Sequence, residues 1–353
     1  MEKKMKVAIM TDLGKIDFVE RDIPAPKADE VLVKIEYVGV CGSDLHYYEH
    51  GRIGDFVVEF PFVLGHESGG VVTEVGAAVT HLKVGDKVAL EPGKTCGVCE
   101  FCKAGKYNLC PDVIFFATPP VGGVFQEYVT HEAALCFKLP PQMSTKEGAL
   151  IEPLAVGFHA AMQGGASIGQ TAVVMGSGAI GLVSLLALKA MGLSKVIVVD
   201  IVDKRLEKAM ELGAFAVING MKENVVEKVS SLLGGEGVDL VIETAGSEIT
   251  SGQAVEISKK GATIVFVGYT RSGMLNLPMS VALNKELTMK TIFRYRHIYP
   301  MAIEAVASGI IDVNGIVTNE FEFDDLQKAM DDSVNDKETI VKSVIHISGS
   351  FDL

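Results

Sequence analysis

Long hydrophobic runs are absent: nowhere does the chain approach the ~18–20 consecutive apolar residues that cross a bilayer, so no membrane partner is expected. Positive charge is also scarce, with 32 Lys and Arg against 45 Asp and Glu, a formal charge of −13. Binding to a phosphate backbone rests largely on Lys and Arg replacing counterions, so the acidic balance argues against nucleic acid as a partner. The opening Met1-Glu-Lys-Lys-Met-Lys is basic, but its apolar continuation spans only Val7 to Met10 before Thr11-Asp12. That is too short for a secretory signal core, and a cytoplasmic location is expected. Internal repeats and low-complexity stretches are missing as well. What is present is 353 residues, 48% hydrophobic and 22% charged, the composition of a folded globular protein. At about 100–200 residues per domain, two domains are expected.

The chain changes character near residue 155. Before it, short valine-rich runs such as Val31 to Val38, Gly69 to Gly76 and Lys87 to Leu90 alternate with glycine and proline. They read as the strands of a small β-barrel or sandwich with long loops. After it, strand and helix alternate. Thr171–Met175, Lys195–Asp200, Ala216–Ile218, Val238–Ile242, Thr263–Val267 and Leu287–Ile292 are short apolar runs. Helices are expected between them, over Ala179–Met191 and over Asp203–Gly213 with the glycine as the stop. The rhythm predicts an α/β, doubly wound parallel sheet. A helix over Pro300–Ser308 and a strand at Ile345–Ile347 follow, the latter returning to the first domain.

The turn Gly176-Ser-Gly178-Ala-Ile-Gly181 joins the first of these strands to its helix. Gly176 permits a tight turn, Gly178 lets backbone approach a pyrophosphate, and Gly181 lets the helix pack closely on the sheet. Such a turn alone can be a local glycine feature. Here Asp200 ends the next strand, 19 residues beyond Gly181, where a carboxylate can bond both ribose hydroxyls. A carboxylate there repels a 2′-phosphate, which favours NAD over NADP. Lys204 and Arg205 follow, either blunting that preference or forming a solvated first helical turn.

Cys96, Cys99, Cys102 and Cys110 fall within fifteen residues. Four thiolates on one loop close a tetrahedral zinc site with no open position, a structural staple. Disulfides are disfavoured by compartment, and an iron–sulfur cluster is the other metal reading. Cys136, in a β context, reads as a small core residue. A second, dispersed set is Cys41-Gly-Ser43-Asp44-Leu-His46, then His66-Glu67, then Glu152-Pro153. Each has a bland explanation: Cys41 as a buried hydrophobe, His66 as a core histidine, His46 as a surface one, Glu152 as a helix-start carboxylate. Spacing does not establish that residues 41, 66–67 and 152 converge.

Together these residues resemble the zinc-dependent medium-chain dehydrogenases and, within them, the sorbitol (polyol) dehydrogenases. The resemblance covers essentially the whole chain. It runs through Cys41 to Tyr48, Gly51-Arg-Ile-Gly54, Pro61 to Glu67, Phe115-Phe-Ala-Thr-Pro-Pro120, Gly148 to Leu154, Gly176 to Gly181, Asp200 and Phe293-Arg-Tyr295. It implies a GroES-like β-rich catalytic domain, residues 1–155 completed by 295–353, around a Rossmann domain, 156–294, with the active site in the cleft between them. By position, Cys41, His66 and Glu67 look like ligands of a catalytic zinc, and Glu152 like an acid that binds the zinc-bound water or the metal itself. Tyr47, Arg294 and Tyr295 match polyol-binding residues, with Phe115 and Thr118 lining the same pocket. Ile180, Arg205, Val267, Gly268, Tyr269, Ile292, Phe293 and Arg294 fall where the family contacts NAD.

The reaction so implied is oxidation of a polyol secondary hydroxyl (sorbitol, xylitol or L-iditol type) to a ketose. Zinc serves as Lewis acid and hydride passes to NAD. Ser43, the cofactor ribose and His46 would relay the proton, and Asp44 would fix the His66 tautomer. A pocket rich in donors and acceptors suits several hydroxyls better than a simple alcohol. The sister reading is a dehydrogenase of L-threonine or 2,3-butanediol. The zinc-free quinone reductase branch would lack Cys41, Glu67 and the cysteine lobe. The resemblance further implies a homotetramer or homodimer. One departure stands out: animal sorbitol dehydrogenases generally lack the four-cysteine lobe that is complete here.

Overall fold

In the computed structural model, residues 4–270 and 273–348 are described; the first three residues of the basic opening, residues 271–272 and the last five residues of the chain lie outside them. Two compact units emerge. One comprises Met1–Glu152, Tyr299–Gly309 and Val317–Leu353, the other Pro153–Ile298 and Ile310–Ile316.

The first unit is built on a seven-stranded sheet. Its path runs Cys136–Lys138, Lys87–Leu90, Glu67–Val75, Glu30–Gly39, Ser343–His346 and Asn319–Glu322, with Tyr128–Glu132 also paired to Glu30–Gly39. β-Branched residues make the central strand: Val31, Val33, Ile35 and Val38 are all buried. Glycines on the adjacent strand Glu67–Val75 let other backbone approach closely. A Cβ at Gly70 would meet the Lys34 carbonyl at 2.2 Å, and one at Gly69 the Thr145 carbonyl at 2.0 Å. The strand Ser343–His346 pairs antiparallel to Glu30–Gly39, so the C-terminal segment does return to the first sheet.

The second unit is a six-stranded parallel sheet in the order Ala216–Asn219, Lys195–Asp200, Thr171–Met175, Val238–Glu243, Ser258–Phe266, Thr288–Thr291. In sequence order this is 3-2-1-4-5-6, the doubly wound arrangement that binds dinucleotides where the order reverses. The strand limits Thr171–Met175 and Lys195–Asp200 agree with the sequence reading. The helix Asp203–Glu211 is followed by Gly213 with a left-handed φ of 87°.

Two helices depart from the expectation. Thr145–Gly164 is one continuous 20-residue helix with Pro153 inside it. Glu152 is therefore mid-helix and buried, not at a helix start. The helix Leu326–Asn335 buries Leu326, Ala329, Met330 and Ser333, a helical stripe the sequence reading passed over.

Candidate metal centres and nucleotide site

Cys41 stands in extended conformation at the N-cap of the helix Gly42–His50. Its backbone N–H donates to Asp44 Oδ2 at 3.1 Å, so the helix start and the thiol are set together. The other oxygen, Asp44 Oδ1, accepts the Gly65 N–H at 2.9 Å and lies 3.5 Å from His66 Nδ1. One fully buried carboxylate thus holds the segments carrying Cys41 and His66 together and faces the Nδ1 side of the imidazole. The reason they meet is register: Gly39 pairs with Glu67 across two antiparallel strands, which brings residues 41 and 66–67 to one sheet end. The ligand atoms of Cys41, His66 and Glu67 all lie within 4.8 Å of one another. Thiolate, imidazole and carboxylate at that spacing fit zinc, with room for a fourth, exchangeable ligand. The Phe115 ring lies 5.7 Å from that of His66.

Electrostatics in this cluster are dominated by burial and by close opposite charges. Burial would raise the Asp44 carboxyl, but His66 and the Gly65 and Cys41 N–H groups hold it below the usual range. Burial would lower His66, and Asp44 and Cys41 more than offset it, keeping the imidazole pKa well above 6.5. Lys342, with only 1% of its side chain exposed, forms an ion pair with Glu67 Oε2. Burial would strip its proton, yet Glu67 and Cys41, and more weakly Glu152, raise its pKa. Glu152 is buried near enough to act on Lys342 but is outside the three-ligand set.

Among the described residues, the second metal group is Cys96, Cys99, Cys102 and Cys110. Sulfurs of Cys96 and Cys110 are 3.5 Å apart, ligand spacing and far beyond the ~2.05 Å of a disulfide. Backbone N–H groups of Cys99 and Cys102 donate to the sulfurs of Cys96 and Cys99 at 3.3 and 3.4 Å. N–H groups of Val98 and Cys99 lower the Cys96 thiol to about 7, so it is poised to ionise. The Tyr107 hydroxyl donates to buried Glu91 at 2.8 Å, tying this loop to the sheet. Cys136 is buried, its thiol pushed up by desolvation, and is a core residue as expected.

In the parallel sheet, Gly176 has a φ of 97°, and a Cβ at Gly181 would meet the Gly176 carbonyl at 1.9 Å. Gly178 faces open space at the N-cap of the helix Ala179–Ala190, whose first N–H groups have no side-chain cap. A turn of this shape at a helix N-terminus could hold a pyrophosphate. Asp200 Oδ2 accepts the Ser177 N–H at 2.6 Å, and Oδ1 accepts those of Ile201 and Val202 at 2.7 and 3.0 Å. The carboxylate is locked at the strand end, where it fits an unphosphorylated ribose. Ile180 and Arg205 are half-buried, and Lys204 is exposed. Val267 and Gly268 donate their N–H groups to the Glu243 carbonyl, while Tyr269 is 78% exposed.

Substrate candidates divide between the units. Tyr47, Phe115, Thr118 and Glu152 belong to the first unit, and Arg294 and Tyr295 to the second, as do the cofactor candidates Ile292 and Phe293. Arg294 takes a φ of 53° and stacks 4.7 Å above the Phe293 ring; Tyr295 is buried. Ser43 and His46 are three residues apart on the same helix, with His46 exposed and packed on His50 at 4.7 Å. Sequence reasoning missed three groups. Lys342 carries no local signal. Glu243 ends the apolar strand Val238–Glu243 and Thr244 follows it, as Glu-Thr-Ala-Gly, which could have marked them. Glu243 accepts from Ala245, Gly246 and Thr250, and the Thr244 hydroxyl donates to Met175 O at 2.9 Å, bracing the glycine turn.

Side chains that can hold a metal on a β-rich unit, with a doubly wound sheet and glycine turn suited to a dinucleotide on the other, are the elements of a metal- and nucleotide-dependent oxidoreductase. Residues 27–141 match the alcohol dehydrogenase GroES-like domain and residues 179–308 the zinc-binding dehydrogenase domain. Sorbitol dehydrogenase of Bacillus subtilis is 41% identical over 344 residues, covering 98% of each chain. The crystal structure of an Escherichia coli oxidoreductase/dehydrogenase of unknown specificity superposes with a TM-score of 0.95 at 43% identity, covering 98% of this chain and 100% of that one. That of 2R,3R-butanediol dehydrogenase from Bacillus subtilis gives 0.89 at 31%, with 98% and 100% covered. The chain belongs to the zinc-dependent medium-chain alcohol dehydrogenases, in the sorbitol (polyol) dehydrogenase family. It is an oxidoreductase that works with zinc and NAD on a small-molecule substrate. Among the described residues, no helix is long and apolar enough to cross a membrane.

Proposed function

We propose that this enzyme oxidises a secondary hydroxyl of a sugar alcohol of the sorbitol, xylitol or L-iditol type to the ketose. The convergence of Cys41, His66 and Glu67 supports the metal-assisted dehydrogenase reading, and 41% identity to a sorbitol dehydrogenase over 98% of each chain carries the substrate class. When bound, zinc supplies Lewis-acid polarisation of the reacting hydroxyl and NAD accepts the hydride.

The chain's own residues have the remaining tasks. Asp44 orients His66. Glu152, Tyr47, Arg294 and Tyr295 bind and order the hydroxyls, with Phe115 and Thr118 shaping the apolar side. Ser43 and His46, on one helical face, carry the released proton outward to solvent. Gly176, Gly178 and Gly181 seat the pyrophosphate; Asp200 holds the adenosine ribose, and Ile180, Arg205, Val267 to Tyr269 and Ile292 to Arg294 line the remainder. In this reading residues 1–155 with 295–353 form the catalytic domain and 156–294 the nucleotide domain. The enzyme is a cytoplasmic homotetramer or homodimer.

The sister reading, oxidation of L-threonine or 2,3-butanediol, uses the same zinc and NAD. Phe293-Arg-Tyr295 argues against it, as does 41% identity to a sorbitol dehydrogenase against 31% to a butanediol dehydrogenase. Replacing Arg294 by Ala tests the polyol pocket. KM for sorbitol should rise about tenfold or more, with KM for NAD changing less. An unchanged KM for sorbitol would remove Arg294 from the substrate site.

A further inference from the structure

We infer that Lys342 is a positioning residue for the Glu67 carboxylate, holding one oxygen so that the other alone is presented to the metal. The inference rests on reading Cys41, His66 and Glu67 as metal ligands.

Lys342 immediately precedes the strand Ser343–His346 and is buried with its whole side chain inside the first unit. A buried ammonium is costly unless its donors are used. Lys342 donates to Val40 O at 2.9 Å and to Glu67 Oε2. Val40 precedes Cys41, so the same ammonium ties the segment carrying the thiol to the residue carrying the carboxylate. The backbone opposite is shaped to admit that carboxylate. Gly39 pairs with Glu67, and a Cβ on Gly39 would lie 2.0 Å from Glu67 Oε2 and 3.1 Å from Lys342 Cε. Oε2 is thus seated by the lysine on one side and by the missing side chain of Gly39 on the other. Oε1, the oxygen outside this ion pair, is the one the inference gives to a metal that Cys41 and His66 would also hold.

Positioning and charge predict opposite outcomes. An ammonium repels a dication, so if charge were all that mattered, removing it would tighten metal binding. If the lysine holds the carboxylate in place, removing it weakens binding, as loss of a hydrogen-bond partner to a metal ligand does. Zinc per chain and zinc affinity by chelator competition are measured on the full-length protein, with no substrate or cofactor present. Two controls establish the sites: Cys41→Ser should lose one zinc and Cys110→Ser the other. A wild-type chain with no Cys41-dependent zinc would overturn the site reading itself.

Lys342→Met is expected to weaken the Cys41-dependent zinc by about 10–100-fold while leaving the four-cysteine zinc in place. Gly39→Ala displaces the carboxylate without changing any charge and should weaken the same zinc; it decides the matter if Lys342→Met does not fold. In a Glu67→Gln background, Lys342→Met should cause little further loss, because its effect passes through the carboxylate. Equal or tighter zinc binding in Lys342→Met, or an undiminished loss in the Glu67→Gln background, would overturn the assignment.

Discussion

Asp44 Oδ1 lies 3.5 Å from His66 Nδ1, and the same oxygen accepts the Gly65 N–H at 2.9 Å. One side chain therefore faces one imidazole nitrogen, which would leave the other for a metal, and fixes the loop that carries the ring. Asp44→Asn keeps an oxygen for Gly65 but removes the charge facing the ring and replaces the acceptor of the Cys41 N–H with an NH2. Zinc affinity at the Cys41 site should fall about 10–100-fold, read by chelator competition, with the four-cysteine zinc unaffected. Unchanged affinity would show that Asp44 only braces the loop.

Gly181 is where the nucleotide turn has least room. A methyl group there would meet the Gly176 carbonyl at 1.9 Å, a distance no small adjustment relieves. Gly181→Ala should weaken NADH binding at least tenfold, measured by fluorescence titration, and lower the unfolding temperature. Both zincs should remain, because all their ligands lie in the other unit. Normal NADH affinity in this variant would contradict the pyrophosphate cradle.

Glu91 gives the fold a pH dependence near neutrality. Its carboxyl is buried, and desolvation raises it from 4.5 to about 7 despite the hydrogen bond from Tyr107. The folded chain holds this proton more tightly than the unfolded one, so the stabilisation is complete below 4.5 and drains as pH rises through about 7. The loss is on the order of 3 kcal/mol across that window. Glu91→Gln keeps an acceptor for Tyr107 and removes the titration. Its unfolding temperature should vary less between pH 5 and about 8 than that of the wild type. An identical slope in both proteins would refute the role.

Much of the fold was legible because its signals are local. Thr171–Met175 and Lys195–Asp200 are short apolar strands, each closed by a glycine turn or an acid. The helix Thr145–Gly164 was hidden because Gly148, Pro153 and Gly157 contradict helix propensity. Tertiary contact overrides that at Gly157, where a Cβ would meet the Val183 carbonyl at 2.6 Å. The two metal groups differ in the same way. Four cysteines within fifteen residues announce themselves, whereas Cys41 and His66-Glu67 are joined only by the pairing of Gly39 with Glu67. Lys342 reaches Glu67 across 275 residues from Ile-Val-Lys-Ser, a stretch with no pattern that points to a carboxylate.

The most direct test of the account is the initial rate of NADH formation with sorbitol, xylitol, L-threonine and 2,3-butanediol under identical conditions. Activity with the sugar alcohols, abolished in Cys41→Ser and absent with the other two substrates, is the predicted result. Activity confined to threonine or butanediol would leave zinc and NAD in place and contradict the polyol pocket.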